Sequence, residues 1–189
     1  MAPDDLLAAV GARFGDDAAQ IEYGTVTVDV EPAVWLDTLK AARDELGCTF
    51  FDWLCGVDEL DDGIGVVAHV YSRAEHHHLL LRTRVPRHAA VLPTATSIFR
   101  GANWHERETA EMFGVDFAGH PNLVPLLLPE GFEGTPLRKD FVLASRVAKQ
   151  WPGEVDPGQS AGELAPNRRR NLPPGVPDPK VWGPGAGTG

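Results

Sequence analysis

An α+β fold, built as a two-layer arrangement of one mixed sheet with helices on one face, is predicted by the order of hydrophobic periods along the chain. Helical spacing gives way to strict alternation, returns once, and is then replaced by three consecutive strand patterns. The order helix, two strands, helix, three strands, followed by a short helix and an irregular C-terminal extension, excludes an all-helical bundle and a doubly wound sheet. Composition adds a second observation. Hydrophobic residues make up 43% of the 189 and charged residues 23%, enough for a packed core, but residues 150–189 hold 8 of the 20 glycines and 8 of the 16 prolines. Three regions follow: an α+β body over 1–114, an ordered irregular strap over 115–149, and a Pro/Gly-rich tail over 150–189 that is expected to be mobile alone or ordered by partners.

The first helix begins at Pro3, which suits the first helical turn, with Asp4 and Asp5 at the positive end of its dipole and Leu6, Leu7, Val10 and Phe14 on one stripe. Thr25 to Val30 alternates, with Val26, Val28 and Val30 on one face. Glu31-Pro32 opens a second helix carrying Trp35, Leu36, Leu39, Ala42 and Leu46, and Gly47 stops it. Cys48 to Val57 is dense in large apolar residues and reads as a strand buried on both faces. Cys48 and Cys55 then fall on opposite faces, so neither a disulfide nor a metal pair is expected of them. Asp61-Asp62-Gly63 is a turn leading to Ile64–Tyr71, and His77–Val85 completes the meander with Leu79, Leu81 and Val85 inward and His78, Arg82 and Arg84 outward.

Ser97 to Arg100 fits one helical turn, and a helix follows from Trp104 to Phe113 with Gly114 closing it. Asn103-Trp104-His105-Glu106 has the spacing of a capping box, which assigns Glu106 to the helix start. On that helix Trp104, Arg107, Glu108 and Glu111 share a face. Two environments are open to these charges: a solvated face, or a desolvated one in which they pair among themselves or with Arg138, Lys139 and Asp140. From Gly114 to Asp140 no period is visible.

Charge narrows the function. The first 72 residues carry 15 acidic and 3 basic groups, and the net charge is −10, which opposes binding to a phosphate backbone. No nucleic-acid partner is expected. The longest apolar run is far below the ~20 residues of a membrane-spanning helix, and no leader pattern is present, so a soluble, cytoplasmic body is expected. Neither a glycine-rich phosphate loop nor a Cys-x-x-Cys array occurs. A stand-alone metal-dependent hydrolase using His76, His78, His105 and Glu108 is the alternative of a different class, although a catalytic zinc site usually draws three ligands at tighter spacing.

Two blocks carry a resemblance. Gly101-Ala102-Asn103-Trp104-His105-Glu106-Arg107-Glu108, continued by Glu111-Met112-Phe113-Gly114-Val115, Phe117 and Gly119-His120-Pro121, is the first. Gly134-Thr135-Pro136-Leu137-Arg138-Lys139-Asp140-Phe141 is the second. Together they resemble the signature of the C-subunit family of NADH-quinone oxidoreductase, respiratory complex I, over about residues 1–145. Val124-Pro125 replaces a basic pair common in that family, and Thr135 replaces a common His. The resemblance implies a non-catalytic peripheral-arm subunit of a proton-translocating NADH:quinone oxidoreductase that braces the quinone-reducing module. It implies no cofactor on this chain, flavin and iron–sulfur clusters lying on other subunits. Its implied partners are other hydrophilic subunits, chiefly the one walling the quinone cavity. Location would be peripheral, on the cytoplasmic side of the cell membrane, through the complex only. Equivalent subunits of membrane-bound hydrogenases or coenzyme-linked dehydrogenase complexes are the near alternative. The residues it marks as structural or interface positions are Trp104, Glu106, Arg107, Glu108, Glu111, His120, Pro121, Pro136, Leu137, Arg138, Lys139, Asp140 and Phe141, with no catalytic, cofactor or metal residue.

Overall fold

The structure, a computed structural model, describes residues 2–142. The tail over 150–189, and the last part of the strap from 143, lie outside the described residues. Helix α1 (Pro3–Phe14) leads into a short hairpin of β1 (Ala19–Glu22) and β2 (Thr25–Val30), and α2 (Trp35–Asp44) then crosses to β3 (Phe50–Asp58). Strands β4 (Ile64–Ser72) and β5 (His77–Val85) complete a five-stranded sheet in the order β1-β2-β5-β4-β3. The β2–β5 pair is parallel and the others antiparallel, which makes the sheet mixed as the element order predicts.

One core explains why these segments assemble. Leu6 and Val10 of α1 and Trp35, Leu39 and Ala42 of α2 are buried with Val26, Val28, Leu54, Val66, Ala68, Val70, Leu79 and Leu81 of the sheet. Each fully buried Leu or Val contributes roughly 1.5–3 kcal/mol relative to exposure. All of the sheet members lie on one face, since every second residue of β4 and β5 is buried. The helices therefore cover that face, and the other stays open.

Three local expectations change. The apolar density of β3 does not mean burial on both faces: β3 is an edge strand in which Phe50 and Val57 are exposed, and a bulge at Asp52 interrupts its pairing. Cys48 lies just before the strand and is buried, while Cys55 is exposed within it. The helical turn expected at 97–100 sits earlier, as a 3-10 turn over Ala95–Ser97 capped by Thr94, whose side chain accepts from the Thr96 amide. The segment after Gly114 is not wholly irregular either. Strand β7 (Asp116–Ala118) pairs in parallel with β6 (Val91–Pro93), anchored by buried Leu92 and Phe117.

Helix α3 (Ala102–Phe113) begins two residues earlier than its charge pattern suggests and ends where glycine permits a left-handed backbone, Gly114 having φ of 71°. It packs on β3 because Gly56 leaves room there: a Cβ at that position would lie 2.6 Å from the Phe113 ring. Phe51 adds an edge contact to the His105 ring, with centroids 5.6 Å apart.

Candidate functional site

Two of the signature charges of α3, Arg107 and Glu111, make their hydrogen bonds to backbone. Arg107 donates from Nε to the Val124 carbonyl at 2.8 Å and from Nη2 to the Pro125 carbonyl at 2.7 Å. Glu111 accepts from the amides of Leu127 at 2.9 Å and Leu128 at 3.1 Å. Partial burial disfavours the ionised Glu111, but the amides of Leu126 to Leu128, together with the nearby Arg107 charge, outweigh it and hold the carboxyl below its ordinary value. An aperiodic segment has no ladder of its own, so its carbonyls and amides need outside partners. One planar guanidinium and one carboxylate, a turn apart on α3, supply them. Neither environment read from sequence is therefore correct for Arg107: it is not a merely solvated cation, and its partners are not carboxylates.

Glu106 departs furthest from its expected role. Gly101 occupies the cap position without any side-chain cap, and the Glu106 side chain is fully buried. Its Oε2 accepts from the Thr94 hydroxyl at 2.5 Å and its Oε1 from the Ala95 amide at 2.6 Å. It thus joins α3 to the turn after β6 across eleven residues, a contact that the local capping pattern conceals. His120 packs beside it, with Nε2 at 3.8 Å. Because His120 Nδ1 accepts from the Asn122 amide, its hydrogen sits on Nε2 and goes to the Asn103 carbonyl at 3.1 Å. Burial pushes the Glu106 carboxyl up to about 7, with the Thr94 and Ala95 hydrogen bonds acting in the opposite direction.

The second block is tied down separately. Arg138 Nε donates to the Phe113 carbonyl at 2.6 Å, at the negative end of α3, and the Leu137 amide donates to Met112 O at 3.2 Å. The Lys139 amide donates to Asp58 Oδ2 at 2.7 Å, and Asp140 pairs with Arg87 at 2.9 Å. Arg87 also donates to Asp58 Oδ1, an acceptor shared with the Leu60 amide. Asp58 and Arg87 are the residues that sequence reasoning missed as partners. The Arg87 hydrogen bond is the main reason that the Asp58 carboxyl is held down at about 2.

Once these polar groups are satisfied, apolar ones are left outward. Trp104 is 68% exposed, Leu127 59% and Leu137 55%, on α3 and on the two tethered segments. Glu108, Pro121 and Asp140 are exposed too, Pro136 is half-buried, and Phe141 rests on the Phe132 ring with centroids 6.1 Å apart. The metal-hydrolase alternative loses its geometry. His105 lies against Phe51, which pairs with Val70 on the covered face, whereas His78 pairs with Tyr71 on the open face. Among the described residues no group of three or more His, Cys, Asp or Glu is placed to hold an ion.

Replacing Arg107 by Ala removes two charge-assisted hydrogen bonds at a half-exposed site, and a loss of about 1–2 kcal/mol is expected in chemical denaturation. Arg107→Lys should recover less than half of it, since an ammonium lacks the fork. A loss below about 0.3 kcal/mol would show that the strap holds without this clamp.

Comparison with known proteins agrees with this arrangement. Residues 28–147 match the family described as respiratory-chain NADH dehydrogenase, 30 Kd subunit. A relative from Rhizobium meliloti (strain 1021), the C 1 subunit of NADH-quinone oxidoreductase, is 37% identical over 151 residues, covering 78% of this chain and 74% of the relative. The C subunit of NADH-quinone oxidoreductase from Roseiflexus castenholzii is 42% identical over 126 residues, covering 65% and 72%. A trypsin-resistant fragment of Nqo5 superposes with a TM-score of 0.54 at 25% identity, over 64% of this chain and 98% of the fragment. A chain of the membrane-bound sulfane sulfur reductase, an archaeal respiratory membrane complex, shares the fold with a TM-score of 0.65 at 24% identity, over 74% of this chain and 85% of that one. The match over most of the described residues, including both blocks that tether the strap, places this chain in the 30 kDa subunit family of respiratory-chain NADH dehydrogenase.

Proposed function

We propose that this chain is a non-catalytic subunit of a proton-translocating NADH:quinone oxidoreductase, which braces the quinone-reducing module by presenting α3 and the tethered strap to a neighbouring hydrophilic subunit. The observation that carries this reading is how the signature residues are used. Arg107, Glu111 and Arg138 direct their hydrogen bonds to backbone groups of this chain. What they hold outward is an apolar set of Trp104, Leu127 and Leu137. Trp104 is exposed on α3, and tryptophan is among the residue types that most often anchor protein interfaces. The subunit walling the quinone cavity is the partner that the family resemblance implies. No helix among the described residues is long and apolar enough to cross a membrane, so attachment would run through the complex.

Redox groups belong to other subunits in this reading. The purified chain is expected to show no flavin or iron–sulfur absorbance, since its sequence offers neither phosphate loop nor cysteine array. One such chromophore per chain would contradict the bracing role.

The deciding experiment replaces Arg138 by Ala in the complex. Assembled complex and NADH:quinone reductase activity are expected to fall together, with turnover per assembled complex unchanged. Normal assembly with lowered turnover would instead put Arg138 in the catalytic path.

A further inference from the structure

Helices cover one face of the sheet, and the other carries an apolar strip that nothing among the described residues covers. Phe50, Trp53 and Val57 of β3 lie on it beside Tyr71 of β4 and Leu80 of β5. Phe50 is 48% exposed and Val57 41%. Rings set its character: Trp53 stacks on His69 with centroids 5.6 Å apart, and Tyr71 leans on His78 at 4.5 Å. The charge around the strip is one-sided. Arg82 and Arg84 are each taken up by a carboxylate, Asp29 and Glu59 respectively. Asp52, 47% exposed, engages the His69 imidazole and not a guanidinium. Partial desolvation pushes the Cys55 thiol up and the Glu108 carboxylate adds to it, which places Glu108 at the α3 rim of the strip. We propose that the segment from Arg168 to Pro177 of this same chain docks on the strip, its guanidiniums toward Asp52 and Glu108 and its prolines on the Trp53 and Tyr71 rings.

Charge, ring chemistry and reach select this occupant. Arg168-Arg169-Arg170 is the only run of three Lys or Arg in a chain of net charge −10, so the acidic rim attracts this segment and repels most of the rest of the molecule. Leu172-Pro173-Pro174-Gly175-Val176-Pro177 follows directly. A guanidinium gains cation–π energy over a Trp or Tyr ring. Prolines lose little freedom on docking, which is why Pro-rich segments are recognised by aromatic-lined grooves. The path of the chain leads to the same place. The Lys139 amide is held by Asp58, the last residue of β3, so the chain leaves the described residues beside the Val57 end of the strip. Twenty-six residues then separate Val142 from Arg168. An unstretched coil of that length spans roughly 28 Å, and Trp53 lies only about 17 Å along the strand from Asp58.

Photo-crosslinking in the full chain tests the proposal. With p-benzoylphenylalanine in place of Phe50, one exposed ring on the strip is exchanged for a reactive one. Irradiation is expected to join it to residues 168–177 of the same molecule, read by mass spectrometry of the monomer. Arg168→Ser, Arg169→Ser and Arg170→Ser together, or about 0.5 M NaCl, should lower that yield about fivefold or more. Trp53→Ala should lower it too, with unaltered circular dichroism securing the comparison. The same probe in place of Tyr23, fully exposed at the tip of the β1–β2 hairpin, should capture the segment at about one fifth of the Phe50 yield or less. Equal yields at the two positions, capture of the segment from a second copy in a covalent dimer, no capture at Phe50, or a yield indifferent to the three Arg substitutions would each overturn the proposal.

Discussion

Replacing Asp58 by Ala is expected to cost about 2–4 kcal/mol and to release the second signature block from the body. The Asp58 side chain is 2% exposed and accepts three hydrogen bonds, from Arg87, the Leu60 amide and the Lys139 amide. Truncation therefore leaves Arg87, only 14% exposed, with Asp140 as its remaining carboxylate partner, and leaves the Leu60 and Lys139 amides without this acceptor. The Leu60 amide matters doubly, because Leu60 sits at φ of 60°, a conformation that a non-glycine residue holds only when its neighbours require it.

The pH dependence has a definite sign. With Asp58 held down at about 2, mainly by Arg87, its stabilisation is fully present above the unfolded carboxyl value near 3.9 and is lost as pH falls through that value toward 2. Asp58→Ala should remove this part of the acid limb. Hydrogen exchange locates the effect: the Lys139 amide should lose protection while the Leu128 amide, held by Glu111, keeps it. Retained Lys139 protection, or a loss below 1 kcal/mol, would mean that Arg138 alone suffices to hold the block. In the complex the same variant is expected to lower assembly as Arg138→Ala does, because both act on one segment.

What could be read from sequence follows from where the determining contacts lie. Strand β5 shows its inward set directly, because alternation over nine residues is a local property of a strand with one covered face. Helix α1 shows its dipole-matched acids and its stripe for the same reason. Strand β3 misleads: its apolar density comes from Phe50 and Trp53 on the open face as much as from Phe51 and Leu54 on the covered one, and composition cannot report which strand is at the edge. Strands β6 and β7 are three residues each, too short for any period. The site fails in a different way. Asp58 and Arg87 are single charges beside turns, and their bond spans 29 residues. Glu106 is the sharpest case, since a pattern that does specify helix starts elsewhere happens to coincide with a long-range partner. The family resemblance marks the two signature blocks as a group; only the fold shows that Arg107 and Glu111 serve the backbone of the strap and that Arg138 ties the second block to the end of α3.

That buried carboxylate sets the last expectation. Among the described residues Glu106, fully buried, accepts two hydrogen bonds, and the side chain beside it is the His120 ring at 3.8 Å, whose Nδ1 accepts and so leaves the ring uncharged. Burial raises its folded value to about 7, so between the unfolded value near 4.3 and that point the folded state binds the extra proton. Stability should therefore be greatest below about pH 4.3 as far as Glu106 is concerned, fall by on the order of 3 kcal/mol as pH rises to about 7, and change no further above it. This window lies above that of Asp58, so the two can be read from one titration. Glu106→Gln keeps an acceptor for the Ala95 amide and an amide donor that the Thr94 hydroxyl can accept, and it never ionises. Its stability should be nearly flat from pH 4.5 to 8 relative to the unaltered chain, and higher at pH 8. Glu106→Ala instead leaves the Ala95 amide unpaired beside a cavity and should lose about 2–4 kcal/mol at pH 5, where the native carboxyl is mostly protonated. Denaturation curves of the three proteins at pH 4.5, 6 and 8 separate the outcomes. If stability rises from pH 4.5 to 7, or if Glu106→Gln is the less stable protein at pH 8, His120 is a charged counterion in the fold and Glu106 is a carboxylate throughout.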